Sequence, residues 1–207
     1  MLTSEIGLLF PTLYVVEGFV IIAFNLSLLL FLLLERKFRH QKQYQILAGC
    51  VTFDFLFGCA YFSTGVYRYN LKFTNEYVPL VSRFYCLNKV HDLLILFITP
   101  EAGIISLFVA LDRAVSVFYP IKYLKLPPHY PLVLFVTSFS AIIPAYVTSY
   151  MAVIPSRYER NQSGMCFLKD TLPDNCYAIL RWIRIVTSIL AIAVYIPIAC
   201  KIRKVRL

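Results

Sequence analysis

The sequence predicts an all-α membrane protein, a single transmembrane domain over residues 1–207 built as a bundle of five transmembrane helices. Two observations carry that prediction. Apolar residues make up 59% of the chain and charged residues 15%, against roughly 45–50% and about 25% in a soluble domain. One compact core cannot hide that excess, whereas lipid accepts apolar helix faces on every side once backbone groups are paired within helices. The apolar residues also fall into five runs, approximately 10–34, 46–67, 90–118, 131–154 and 179–200, each long enough to cross a bilayer, which takes about 20 residues.

The first run is too long, too uncharged at its start and too quickly followed by further spans to be a cleaved signal peptide, so it reads as an uncleaved signal anchor. It carries Glu17 and Asn25. A compact basic connector follows from Glu35 to Lys42, with Arg36, Lys37 and Arg39 inside it. The second run holds Asp54 within Val51-Thr-Phe-Asp-Phe-Leu-Phe-Gly58, and the third holds Pro100-Glu101 and closes on Asp112-Arg113. Lys122 to His129 is a short connector containing Pro-Pro, whereas Pro155 to Asn175 is long, polar and mixed in charge, as expected of a folded loop. After the fifth run the chain is basic, from Lys201 to Leu207.

The net charge is +9, which in a soluble protein would point to nucleic acid. Here the basic residues sit between apolar runs, where topology and anionic lipid headgroups explain them, and no nucleic-acid partner is expected. The sequence contains no Gly-rich phosphate loop, zinc-spaced Cys/His cluster, CxxC pair or nucleophile elbow, so neither an enzyme, a cofactor nor a metal site is expected.

Placing the amino terminus outside and the carboxy terminus in the cytoplasm puts eleven of the 20 Lys and Arg residues inside and nine outside or at outer helix ends, a small excess in the expected direction. Two further features favour this orientation. Asn161-Gln162-Ser163 is a glycosylation acceptor that can be modified only on the lumenal or extracellular side. Cys86, Cys166 and Cys176 fall on that same side, where disulfides persist. Asn25-Leu26-Ser27 also fits the acceptor pattern but lies inside the first span, beyond reach of the modifying enzyme.

An ionisable side chain at the bilayer centre costs about 2.5–3.5 kcal/mol on insertion scales, so each needs a reason. Asp54 reads as a structural carboxylate hydrogen-bonded across to a polar residue such as Asn25. Glu101 reads as a neutral packed acid beside backbone groups freed by Pro100, and Glu17 as a group that orients toward solvent. Asp112 can pair with Arg113. An alternative function uses Glu17, Asp54 and Glu101 as an ion relay in a small multi-helix transporter or channel. That reading predicts an internal repeat, and the sequence has none.

Taken together, these residues resemble the rhodopsin-like G-protein-coupled receptor family, particularly the nematode serpentine chemoreceptors. Asn25 looks like that family's helix-one asparagine, and Asp54, 29 residues later, like its helix-two aspartate. Leu111-Asp-Arg-Ala-Val-Ser-Val-Phe-Tyr-Pro-Ile-Lys-Tyr123 resembles the end of helix three, with Pro120 seven residues after Arg113. Pro197 resembles the helix-five proline.

The resemblance implies a seven-helix fold of which this chain covers helices one to five, and an orphan chemosensory receptor that detects an extracellular ligand at the plasma membrane and signals through a heterotrimeric G protein. Asp112, Arg113 and Pro120 would serve coupling, the arginine being held by the preceding acid when inactive. Asn25 and Asp54 would be helix-packing polar residues. Asp92, Leu96 and Thr99, in the outer half of helix three, would face the ligand. Cys86 resembles the cysteine that ties helix three to the second extracellular loop, with Cys166 the preferred partner and Cys176 the alternative. Ala114, Ala102 and Ile95 depart from the family pattern, as does the placing of the only tryptophan, Trp182, in the fifth span rather than the fourth. These departures argue against a bound sodium at Asp54 and against an amine ligand. With helices six and seven absent, the resemblance also accommodates a fragment or an inactive copy.

Overall fold

The computed structural model describes residues 2–35, 41–74 and 79–206; Arg36, Lys37 and Arg39 of the first connector lie outside the described residues. Five long helices dominate: α1 (Leu2–Leu34), α2 (Lys42–Thr74), α3 (Val90–Phe118), α4 (Tyr130–Val153) and α5 (Asp174–Arg206). Each contains a stretch long and apolar enough to cross a membrane. The 29 residues of α3 span about 43 Å at 1.5 Å per residue, more than the roughly 30 Å of a hydrocarbon core. The bounds of α3 are those of the apolar run, whereas α1, α2 and α5 continue well past theirs. Hydropathy marks only the lipid-facing length, and flanking residues such as Lys42, Gln43 and Gln45 are good helix formers that extend it.

The helix α3 is central, packed against α2, α4 and α5, while α1 lies along α2. Glycines set close approaches between helices, two of them Gly65 and Gly103. A Cβ on Gly65 of α2 would sit 2.7 Å from the Val15 backbone nitrogen of α1, and one on Gly103 of α3 would sit 2.8 Å from the Arg184 carbonyl of α5. Between helices in lipid, where solvent gives no hydrophobic drive, such contacts supply the van der Waals packing that holds the bundle together.

Phe53, Ala60, Ile98 and Ile105 form a mid-bundle core, flanked by Phe97 stacked on Phe139 with ring centroids 5.7 Å apart. A second cluster of Leu87, Leu96, Val153, Leu172 and Leu180 closes one end. Outward-facing positions are equally apolar, with Phe24 74% exposed and Ile192 66% exposed, a pattern that only a lipid surround makes favourable.

At the clustered end, Leu80–Val81 (β1) and Gln162–Ser163 (β2) pair antiparallel, Leu80 opposite Ser163. A helical turn over Arg83–Leu87 follows β1, opened by Ser82, whose hydroxyl accepts from the Tyr85 N–H at 3.1 Å. At the opposite end, Pro120–Leu124 forms another turn between α3 and α4, with proline in the first position, where its missing N–H costs nothing.

Candidate functional site

At the Pro120 end, the end of α3 carries a carboxylate and a guanidinium side by side. Asp112 is buried, and its Oδ2 lies 3.8 Å from Arg113 Nε and accepts from the Tyr123 hydroxyl at 3.5 Å. Tyr130, at the start of α4, approaches the same carboxylate and meets the Tyr123 ring edge-on at 6.2 Å. Burial, reinforced by the Asp112 charge, pushes the Tyr123 hydroxyl up to about 12, so it stays a proton donor throughout the physiological range. The Arg113 side chain is 31% exposed, leaving one face open to a partner.

The connector bearing Tyr123 is held from below. Lys42 Nζ, at the start of α2, donates to the Leu124 carbonyl at 3.3 Å and also to the Leu126 carbonyl. Pro120, Ile121 and Leu124 remain exposed on its outer side, Ile121 at 71%.

The other end is a loop pinned over the helices. Cys86 is bonded to Cys166, their Cα atoms 5.2 Å apart, while Cys176 is free. Tyr67 Oη donates to the Gly164 carbonyl at 3.0 Å. Arg68, 4% exposed near the end of α2, donates from Nε to the Met165 carbonyl and from Nη2 to the Cys166 carbonyl, both at 3.0 Å. Its guanidinium lies 4.2 Å from the Phe167 ring centroid and 5.0 Å from that of Tyr14. Beneath this lid is a cavity of about 260 Å³ whose walls include Tyr14, Tyr61, Arg68, Thr99, Tyr177 and Arg184.

The residues singled out from sequence fall into separate places. Of the three expected to face a ligand, Thr99 lines the cavity, whereas Leu96 is packed in the end cluster and Asp92 is sealed with its Oδ2 3.7 Å from His91 Nε2. Helical geometry explains the split: positions 95 and 99 lie one turn apart on the cavity face, and 92 and 96 occupy the neighbouring stripe.

Asn25 and Asp54 do not share a hydrogen bond, contrary to expectation. The Asn25 amide donates to its own Ile21 carbonyl at 2.9 Å, as short polar side chains in helices can. Asp54 instead lines a cavity of about 460 Å³ between α2, α3 and α5, with Cys50, Ser106, Ser188 and Tyr195. Glu101 is fully buried, and neither carboxyl oxygen has a hydrogen-bond partner; Ser138, facing it, donates to the Phe135 carbonyl. Glu17 is exposed on α1, and Asn161 is exposed in the loop before β2.

One comparison decides what these pieces belong to: the family model described as serpentine type 7TM GPCR chemoreceptor Srbc matches residues 4–179. The chain belongs to the Srbc family of serpentine chemoreceptors. Its five apolar helices are five of the seven that the family's description counts, and Srbc membership makes it a receptor rather than an enzyme. Among curated proteins, none matches the chain.

Within this Srbc chain, sequence reasoning missed Tyr123, Lys42, Arg68 and Arg184. A signal existed for the two arginines. They are basic residues near the disulfide-bearing end, where the positive-inside preference gives no reason for them.

Proposed function

We propose that this Srbc chain is a chemosensory receptor polypeptide that takes its ligand at the disulfide-bearing end, facing outside, and engages a heterotrimeric G protein through Arg113 at the other end, facing the cytoplasm. The observation that carries the reading is the held state of that arginine. Asp112 lies beside it, buried and further engaged by Tyr123, while one face of the guanidinium stays open. Family membership supplies the receptor class. The basic tail with Lys201, Arg203 and Lys204 supports the orientation, as does the exposed acceptor Asn161 at the far end. In that orientation Ile121 and Leu124 present an apolar face beside Arg113 for the partner.

Nucleotide exchange on a purified heterotrimer, with the 207-residue chain in phospholipid nanodiscs, tests the coupling role. Asp112→Asn should raise basal exchange by loosening the hold on Arg113, and adding Arg113→Ala should return it to background. Exchange indifferent to both changes would sink the reading. Glycosidase treatment of chain made in a eukaryotic cell tests the orientation, which predicts a mobility shift that Asn161→Gln abolishes.

A further inference from the structure

We propose that the cavity under the disulfide loop is an anion site, and that its ligand is an organic acid or acidic headgroup with an apolar body. The inference rests on the receptor reading only in taking this cavity as the ligand's seat. Arg68, Lys169 and Arg184 lie along its walls, and no acidic residue does. An adjoining space of about 280 Å³, sharing Thr99, Leu168, Tyr177 and Arg184, adds Arg181 and again no acid. Four cations therefore line two adjoining spaces at this end of the bundle, with no acid among the lining residues. Together the two spaces reach the lower part of the 300–1,000 Å³ range typical of small-molecule sites.

The unsatisfied donor is Arg68 Nη1. It is buried without a hydrogen-bond partner, although Nε and Nη2 of the same guanidinium are both satisfied by loop carbonyls. Leaving such a donor unpaired is costly, more so on a charged group. Among the described residues no carboxylate lies within ion-pair distance of it: Asp92, packed beneath the same loop, feels the Arg68 charge without reaching it, and Asp112 is at the other end of α3. Glu17 lies near Tyr61 but is not part of the cavity wall. An oxyanion in the cavity would meet the exposed Arg184 guanidinium directly, in the charge-assisted geometry that guanidinium favours, with the buried Arg68 charge behind the wall adding to the field.

The site is also built to hold its shape. Gly103 lets the α5 backbone at Arg184 press against α3, which fixes where that side chain starts. Phe167 and Tyr14 both lie against the Arg68 guanidinium. With Tyr61 and Tyr177 they provide the aromatic walls against which an apolar body would lie.

Binding to the 207-residue chain in phosphatidylcholine nanodiscs tests this, read as the thermal unfolding midpoint against probe concentration. The probes are 4-phenylbutyrate, 4-phenylbutanol and 4-phenylbutylamine, which share a body and differ in charge. The acid should raise the midpoint saturably, and the alcohol and amine should not. Arg184→Gln should weaken the acid's apparent Kd about tenfold or more, the weight of one charge-assisted hydrogen bond. Without probe that variant should unfold near wild type, because the Arg184 side chain is exposed and makes no hydrogen bond or ion pair among the described residues.

Nanodiscs containing phosphatidylglycerol separate the two sources of anion. Stabilisation of wild type but not of Arg184→Gln, with competition against 4-phenylbutyrate, assigns the site to a lipid headgroup. Saturable acid binding without such competition assigns it to a free organic acid. Equal stabilisation by acid and alcohol, or undiminished acid binding in Arg184→Gln, overturns the proposal. Arg184-dependent acid binding by a chain that fails the exchange assay would leave the anion site standing and remove the receptor reading, and the reverse pattern would do the opposite.

Discussion

Replacing Arg68 with methionine keeps the length and apolar bulk of the side chain while removing its charge, and the structure allows the cost to be worked out. Two guanidinium-to-carbonyl hydrogen bonds disappear, to Met165 and Cys166, both at 3.0 Å. Hydrogen bonds to charged groups contribute roughly 1.5–3 kcal/mol each, and the stacking on Phe167 and Tyr14 adds about 0.5–2 kcal/mol. Against this, the unpaired Nη1 is relieved, worth about 1–3 kcal/mol. The losses dominate, and taking like ends of each range the net is a destabilisation of about 2.5–5 kcal/mol. At roughly 2–4 °C per kcal/mol for a chain of this size, the unfolding midpoint should fall by roughly 5–20 °C. Thermal unfolding in neutral nanodiscs measures it. Limited trypsin cleavage at Arg157 and Arg160, both exposed in the loop, gives a second readout and should accelerate. Arg68→Lys should recover less than half the loss, since an ammonium cannot hold both carbonyls while stacking on the two rings. A methionine variant within about 2 °C of wild type, with unchanged cleavage, would refute the idea that this guanidinium fastens the loop.

Cys86→Ser should cost about 2–5 kcal/mol by loss of the 80-residue cross-link, seen as reduced surface delivery and a lower unfolding midpoint; wild-type values for both would count against the bond. Gly65→Ala should push α1 off α2, because the new Cβ meets the Val15 backbone rather than a movable side chain, and a drop of about 1–3 kcal/mol in unfolding free energy is expected from overpacking. Glu101→Gln should be neutral or mildly stabilising, within about 1 kcal/mol, since Ser138, which faces the carboxyl, gives its hydroxyl proton to the Phe135 carbonyl instead. Strong destabilisation by that change would show that the Ser138 hydroxyl binds the carboxyl.

The helices were legible because lipid solvation leaves a coarse signal: long apolar runs broken by charged connectors, with α3 readable at both ends. Cys86 and Cys166 were legible through family likeness, and the structure joins them. Arg68 and Tyr123 were not, for a common reason. Arg68 meets carbonyls 97 and 98 residues on, and Tyr123 meets Asp112 11 residues back across the end of α3 and a turn, and local periodicity contains nothing about either meeting. Asn25 and Asp54 show the converse error. Their order along the chain fitted a shared hydrogen bond, but the rotation of each helix about its axis decides which faces meet, and a run of near-uniform hydropathy does not encode that rotation. The same uncertainty put Asp92 and Leu96 beside Thr99 in expectation, when one step around the helix separates the buried stripe from the cavity face.

The close contact of Gly103 with the α5 backbone bears on how this gene can drift. Every single-base change that replaces a glycine codon's residue adds at least a Cβ, and at this position the added atom meets the Arg184 main chain 2.8 Å away. Codon 103, like codon 65, is thus a place where random substitution disables the product rather than adjusting it. Sampling natural isolates at these two codons would reveal whether the chain is still under selection: a chain in use should show silent changes only, and a relic should show alanine, serine and arginine alleles as freely as its lipid-facing positions do.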